Sequence, residues 1–153
     1  MGSEMCIRDR QITLTELNEN LREIYIEAYT EKEASEYILR ETAKELHGIF
    51  GSYLPDATER DFYDMEIGSA SIMRGYMAHP CDGELTLEKK LRLFLTMSLR
   101  AYSVPKEEVE QVIRFVEGLD IRGIAEQVMQ KLFKALAMRY EFSLTGLTEP
   151  VKK

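Results

Sequence analysis

The stretch that most constrains the fold is IGSASIMRGYMA, residues 67–78, whose single charged side chain is Arg74. Because 31% of the whole chain is charged, so apolar a segment predicts a helix that is buried on most of its faces. Its small residues, among them Gly68 and Gly75, would let neighbouring helices approach closely. We therefore expect residues 57–78 to form the central packing helix and one wall of any core cavity. Arg74 has three alternatives there: it pairs with a carboxylate, reaches solvent, or meets an anionic ligand.

Length and composition indicate one domain. The 153 residues can bury a core that needs neither disulfides nor metal. The two cysteines, Cys6 and Cys81, do not form a disulfide framework, and no apolar run is long enough to span a bilayer. We therefore expect a cytoplasmic protein that does not enter a membrane. A net charge of −7 argues against a broad basic surface for nucleic acid.

The first ten residues, MGSEMCIRDR, share no periodicity with the rest of the chain. Their segment SEMCIRDR resembles the peptide that appears when sequencing-adapter DNA is translated. We therefore expect residues 1–10 to be an artefactual or disordered N-terminus outside the fold. The alternative is an ordinary disordered N-terminus. The adapter interpretation implies that natural sequence before Gln11 has been lost.

From Thr13 onward, apolar residues recur at three- and four-residue spacing, and no segment alternates convincingly with a period of two. This pattern predicts an all-α fold, a single bundle of about six helices, over residues 11–142. A frayed C-terminal tail is expected over residues 143–153. The six predicted helices span residues 13–29, 30–53, 57–78, 86–102, 105–118 and 121–142.

Polar residues predict where helices begin and which faces meet solvent. Thr13 with Glu16 has capping-box spacing, and so has Thr30 with Glu33. The first two helices are therefore expected to begin at these threonines. Lys90 and its charged neighbours are expected to keep the outer face of the fourth helix in water.

His79, Cys81 and Asp82 share one turn, and His47 is the other histidine. A zinc site usually shows paired Cys or His at tight spacing in two places, and a carboxylate metal site in a bundle shows Glu-x-x-His pairs. The sequence has neither pattern, and it lacks a nucleophile elbow and a phosphate-binding loop. We therefore expect no metal, no cofactor and no enzymatic activity. A metal-dependent enzyme that uses His47, His79 and Cys81 remains an alternative.

The predicted interior is rich in methionine and aromatic residues. With a few hydroxyl groups, these side chains are suited to line an adaptable cavity for a small apolar or amphiphilic ligand. The alternative for each of them is a filled core. The candidate ligand-pocket residues are Phe50, Phe62, Met65, Ser69, Met73, Tyr76, Phe94, Ser98 and Tyr102.

The fourth and the last predicted helices each carry two apolar faces, and two faces need two neighbours. We expect the second face of each helix to form a homodimer interface. Contact with another helix of the same chain is the alternative. The candidate interface residues are Leu93, Met97, Met129, Phe133 and Tyr140.

The predicted helices follow a particular order. A connecting helix and a long helix come first, then the apolar helix after a proline turn, and finally a long two-faced helix. Three segments carry this order: NENLREIYIEAY, IFGSYLPDATERDFYDMEIGSASIMRGYM and LEKKLRLFLTMSLRAYSVPKEEVEQVIRFVEGLDIRGIAEQVMQKLF. Over residues 14–142 the chain thus resembles the C-terminal regulatory domain of TetR-type transcriptional regulators.

This resemblance implies an effector pocket among the second, third and fourth helices and a homodimer built from late helices. It also implies that DNA is bound only through an N-terminal helix-turn-helix unit that is missing here, with residues 14–28 as the connector. Effector binding would shift the spacing of the two DNA-binding units. The function expected is therefore the effector-sensing and dimerisation domain of a bacterial regulator, truncated before its DNA-binding unit. A free-standing helical interaction or scaffold protein with a filled core is the alternative.

Overall fold

The computed structural model describes the backbone of residues 2–146 and the side chains of residues 8–138. Within this range the chain consists of helices and short connections, which confirms the all-α prediction. The described part contains seven helices rather than about six, because the first predicted helix is interrupted at Asn18. The helices are α1 (Gly2–Leu17), α2 (Glu19–Ala28), α3 (Lys32–Phe50), α4 (Glu59–Ala78), α5 (Leu87–Ala101), α6 (Lys106–Glu117) and α7 (Ile121–Gly146).

Asn18 separates α1 from α2. Its backbone is extended, with φ −148° and ψ 120°, and its side chain accepts a hydrogen bond from Leu21 N–H as the N-cap of α2. The predicted helix start at Thr13 is wrong, because the Thr13 hydroxyl donates to the Asp9 carbonyl one turn earlier in α1. The single predicted helix is therefore two helices.

Capping side chains also set the starts of α3, α4 and α5. Glu31, not Thr30, caps α3, because its carboxylate accepts from backbone N–H groups of the first turn. Thr58 and Asp61 form a complete capping box at α4. Thr86 caps α5 by accepting from a backbone N–H. All three starts lie within two residues of their predicted positions.

α1 occupies the centre of the bundle, where it packs against α2, α4, α5, α6 and α7. The four consecutive residues 12–15 are buried, which requires neighbours on every side of the helix. Residues 2–10 belong to the same helix, and both Arg8 and Asp9 are buried. Arg8 and Asp9 thus lie inside the fold, which differs at these two positions from the expectation for residues 1–10. The side chains of residues 2–7 lie outside the described residues. The likeness to translated adapter DNA concerns the origin of this segment and is unaffected by its conformation.

α4 is therefore not the central helix. Ile67 is exposed and Arg74 is half-buried, so residues 67–78 are not buried on most faces. A Cβ atom added at Gly68 or Gly75 would meet no heavy atom of another residue within 4 Å, so these glycines do not mark close helix contacts. The buried face of α4 packs against α1, α2, α3 and α5 and carries Phe62, Glu66, Ser69, Ala70, Met73 and Met77.

Among its described side chains, α7 is packed against the bundle only within residues 121–129. Ile121 and Ala125 are buried, and the helix packs against α1. The side chains of residues 130–138 are all exposed. With 26 residues the helix is about 39 Å long. It continues to Gly146, beyond the predicted end at residue 142, and residues 147–153 of the predicted tail lie outside the described residues.

We expect Ile12→Ala to lower the free energy of unfolding by about 2–5 kcal/mol, because it truncates a side chain that is 0% exposed in the middle of α1. Ile24→Ala makes the same chemical change at a side chain of α2 that is 59% exposed. Its effect should stay within about 0.5 kcal/mol. Urea unfolding followed by circular dichroism measures both. Equally small effects at the two positions would contradict the central position of α1.

Candidate functional site

The structure brings the apolar candidate pocket residues into one core cluster that involves α3, α4 and α5. Met65 and Tyr76 are half-buried at the edge of that cluster. Ser98 is buried on α5, and its hydroxyl has no hydrogen-bond partner among the described residues. The fully buried members of the candidate pocket are Phe50, Phe62, Ser69, Met73, Phe94, Ser98 and Tyr102.

Three parallel aromatic rings connect α3, α4 and the end of α5. The ring of Tyr102 lies 5.0 Å from that of Phe50 and 5.8 Å from that of Phe62, centroid to centroid, with 7° between the planes in each pair. Such pairs contribute roughly 0.5–1.5 kcal/mol beyond the burial of area. The stack therefore fixes the position of the Tyr102 hydroxyl.

A charged group lies in the core beside this stack. The carboxylate of Glu66, which is 1% exposed, accepts hydrogen bonds from Arg8 Nη2 at 2.7 Å and from the Tyr102 hydroxyl at 3.0 Å. The other guanidinium nitrogen, Arg8 Nη1, donates to Ser69 Oγ at 3.0 Å. We call these four residues the Glu66 cluster. One planar cation thus satisfies a carboxylate and a hydroxyl on adjacent turns of α4.

Protonation in the Glu66 cluster is set by burial. Burial raises the pKa of Glu66 above its ordinary value, although the Arg8 guanidinium and the Tyr102 hydroxyl both favour the carboxylate. Burial also raises the pKa of Tyr102, and the negative charge of Glu66 acts in the same direction. Tyr102 therefore keeps its proton at neutral pH and serves as a hydrogen-bond donor.

Asp9, the neighbour of Arg8, is also buried. Both carboxylate oxygens lack a hydrogen-bond partner among the described residues. Burial raises the pKa of Asp9 to about 7. Because the folded protein holds this proton more tightly than the unfolded chain does, the contribution of Asp9 to stability falls as the pH rises towards 7 and is constant above that. Asp9 is thus a buried acid that is partly protonated near neutral pH.

A second buried ion pair joins α1 to α5. Lys90 is 0% exposed; its Nζ lies 2.8 Å from Glu16 Oε2 and also donates to the backbone carbonyl of His79. Glu16 Oε1 accepts from the Cys81 backbone N–H at 2.7 Å and lies 3.4 Å from Arg22 Nη2. We call this set the Lys90 cluster. It ties together α1, α2, α5 and the turn that follows α4.

The carboxylate of the Lys90 cluster stays ionised at neutral pH. Burial acts to raise the pKa of Glu16, but the hydrogen bonds from Lys90 and from the Cys81 N–H outweigh it and hold the pKa below its ordinary value. Stability that depends on this carboxylate is therefore present at neutral pH and lost as the pH falls through the lowered pKa.

The turn that carries the candidate metal ligands is held by hydrogen bonds to backbone groups. Nδ1 of His79 lies 2.7 Å from the Gly75 carbonyl oxygen, and Asp82 accepts hydrogen bonds from backbone N–H groups of the turn. His47 lies on α3, where its ring packs 5.0 Å from that of Phe62. Among the described residues, no three or more His, Cys, Asp or Glu side chains form a group that could hold a metal ion.

The sequence reasoning missed the charged residues of the core, although two of them lie in apolar stripes. Glu66 follows Phe62 by four residues, on the inward face of α4. Lys90 lies three residues after Leu87 and four before Phe94, so it shares their face. The expectation that Lys90 faces solvent is wrong, because Glu16 supplies a buried counter-charge. The sequence around Lys90 does not indicate that its partner would be Glu16 on α1.

The candidate interface residues lie on two helices. Leu93 and Met97 are exposed on α5, and Phe133 is 47% exposed on α7. Met129 is half-buried and packs against the small core cluster of Leu14, Leu21 and Ala125. The side chain of Tyr140 lies outside the described residues. Exposed apolar surface is thus present on both helices, and the homodimer interface stays a prediction.

Two surface pockets lie apart from the centre of the core cluster. One, of about 320 Å³, lies between α5, α6 and the start of α7 and is lined partly by Leu91 and Ile113. The other, of about 340 Å³, is lined by α4 and α5 residues that include Tyr76 and Met97. Both have the size of a small-ligand site. Of the candidate pocket residues, only Tyr76 lines either of them.

Comparison of the chain with protein-family models, with curated proteins and with solved structures gives no match. In the described part of the chain, none of the helices combines the length and the apolar character needed to cross a bilayer. The function is therefore inferred from the buried clusters and the exposed apolar surface.

We expect Lys90→Met to lower the free energy of unfolding by about 3–5 kcal/mol, because it leaves the half-buried carboxylate of Glu16 with only the more distant Arg22 as a counter-charge. Lys89→Met changes the exposed neighbour in the same way and should cost less than about 0.5 kcal/mol. In the double variant Lys90→Met/Glu16→Gln both charges are absent, and much of the loss should be recovered. Urea unfolding of the three variants measures this, and a Lys90→Met cost as small as that of Lys89→Met would refute the buried pair.

Proposed function

We propose that this chain is the effector-sensing and dimerisation domain of a cytoplasmic TetR-type bacterial transcriptional regulator. It would act as a homodimer and bind a small apolar or amphiphilic effector. DNA would be bound only through a helix-turn-helix unit outside residues 11–142. The proposal rests on the helix order of the sequence and on the apolar surface that α7 leaves uncovered.

The observation that carries the proposal is the stripe along α7. Met129, Leu132, Phe133 and Leu136 follow one another at three- and four-residue spacing, so they share one face of the helix. Leu132, Phe133 and Leu136 are between 41% and 48% exposed. A contiguous exposed apolar stripe of this kind is typical of a surface that pairs with another protein. A second copy of α7 would cover it in a two-fold interface.

The core supports the sensing part of the proposal. The Glu66 cluster places hydrogen-bonding groups at the centre of an aromatic and methionine-rich interior, the combination that orients amphiphilic ligands. Both buried clusters also contact α1, which contains the start of the segment that resembles the family's connector. A ligand that displaced one of these contacts would favour a different position of α1, which is a population shift between two arrangements.

One observation favours the second candidate, a helical interaction or scaffold protein with a filled core. The rings of Phe50, Phe62 and Tyr102 pack directly on one another and are almost fully buried. In that case the stripe on α7 would bind a different protein, and the core would have only a structural role. The oligomeric state and the source gene separate the two candidates.

We expect the chain to sediment as a dimer at about 10 μM and Phe133→Asp to weaken the dimer by roughly tenfold or more, since a charge would be buried in the apolar interface. Phe115→Asp is the matched control, because Phe115 is a phenylalanine of similar exposure, 53% against 47%, on α6. Sedimentation equilibrium measures the dissociation constants. A monomeric wild-type chain, or the same loss in both variants, would contradict dimerisation through α7.

The regulatory assignment itself is tested by sequencing the source DNA before the codon for Gln11. We expect in-frame codons for a basic three-helix unit with a helix-turn-helix, roughly the forty to fifty residues that such a unit requires. A stop codon close to Gln11, followed by a genuine start, would refute the TetR-type regulator and favour the scaffold protein.

A further inference from the structure

We propose that Glu66, Ser69 and Tyr102 form a buried binding site for a guanidinium or amidinium cation, which the side chain of Arg8 fills in this chain. The idea that this site binds an effector rests on the proposed effector-sensing role. It makes that role more specific, because it gives the effector a flat cationic head that donates hydrogen bonds and an apolar body.

The acceptors define the shape of the head group. Glu66 Oε1 and Ser69 Oγ receive two different nitrogens of one guanidinium, at 2.7 Å and 3.0 Å. A planar group with two outward N–H donors fits both acceptors at once, one bond going to the carboxylate and the other to the hydroxyl. A quaternary ammonium has no N–H to donate and would leave both acceptors unsatisfied.

The charge of the site favours a cation. Glu66 is 1% exposed, and the hydroxyl of Tyr102 already satisfies its second oxygen, Oε2. A hydroxyl supplies a hydrogen bond but no positive charge. If no cation occupied the site, the buried carboxyl group would either keep its charge without a counter-charge or take up a proton, and a bound cation avoids both costs. The pair of acceptors therefore selects the cation, and the stacked ring of Tyr102 keeps the site in a fixed geometry.

The site is built by residues other than the one that fills it. Glu66 and Ser69 come from α4 and Tyr102 from the end of α5, whereas Arg8 belongs to the ten residues that resemble translated adapter DNA. Three of the four members therefore persist whatever residues precede Gln11. The site is also distinct from the Lys90 cluster, which uses Glu16 as its carboxylate.

Chemical rescue tests the proposal. Arg8→Ala in the full chain removes Cγ, Cδ and the guanidinium, a group with the composition of ethylguanidinium. We expect the variant to melt roughly 10 °C below the wild-type chain. Ethylguanidinium chloride at about 10 mM should then raise its melting temperature by about 3 °C more than tetramethylammonium chloride at the same concentration. The wild-type chain, whose site is filled, should show no such difference.

The matched control is Arg8→Ala/Glu66→Gln, which keeps the cavity but lacks the carboxylate and should not distinguish the two cations. An equal response of Arg8→Ala to both cations, or an equal response of the single and double variants, would overturn the proposal. If Arg8→Ala does not fold in buffer, it is refolded with each cation. Recovery of the helical circular dichroism spectrum only with ethylguanidinium would support the site, and recovery with neither or with both would overturn it.

The outcome is separable from the proposed function. Rescue is measured on the core of the chain and needs neither a dimer nor DNA. If the chain dimerises through α7 but shows no rescue, the cation site is refuted and the regulatory proposal stands. If rescue occurs but the chain is monomeric, or its gene encodes no helix-turn-helix unit, the cation site is supported and the regulatory proposal is refuted.

Discussion

The burial of α1 at the centre of the bundle is the constraint on which the other contacts depend. A helix surrounded by neighbours must find partners for its charged side chains inside the protein, because water does not reach them. Glu66 on α4 pairs with Arg8, and Lys90 on α5 pairs with Glu16. Sliding either helix along α1 would leave a buried charge unpaired, at a cost of several kcal/mol. The two ion pairs therefore set the positions of α4 and α5 relative to α1.

The same pairs relate the core to the proposed function. The Glu66 cluster lies within the aromatic interior, and the Lys90 cluster reaches α2 and the turn after α4. α1 takes part in both. In a regulator whose effector site is in this core, α1 would therefore be the first element to respond. Asp9 differs from the other buried charges, since its carboxylate has no described partner and is partly neutralised by protonation.

The surface of the protein carries an exposed apolar stripe on α7. Among its described side chains, α7 is packed only within residues 121–129, and the turns that follow present leucine and phenylalanine to solvent. Among the described residues this stripe continues the apolar spacing that places Ile121 and Ala125 against α1. The apolar stripe of α7 is thus covered by its own chain over the first turns and uncovered over the next, which is why the homodimer is the proposed occupant.

The sequence by itself determined the helical fold, most helix boundaries and the apolar members of the core. Periodicity and capping act over three or four residues, so they are readable without a structure. It also indicated the uncovered stripe of α7. Only the tertiary structure decided that α1, not α4, is central, and that Glu66 and Lys90 are buried. Those outcomes depend on contacts across 58 and 74 residues of chain. A local pattern cannot show which distant charge will meet a buried one.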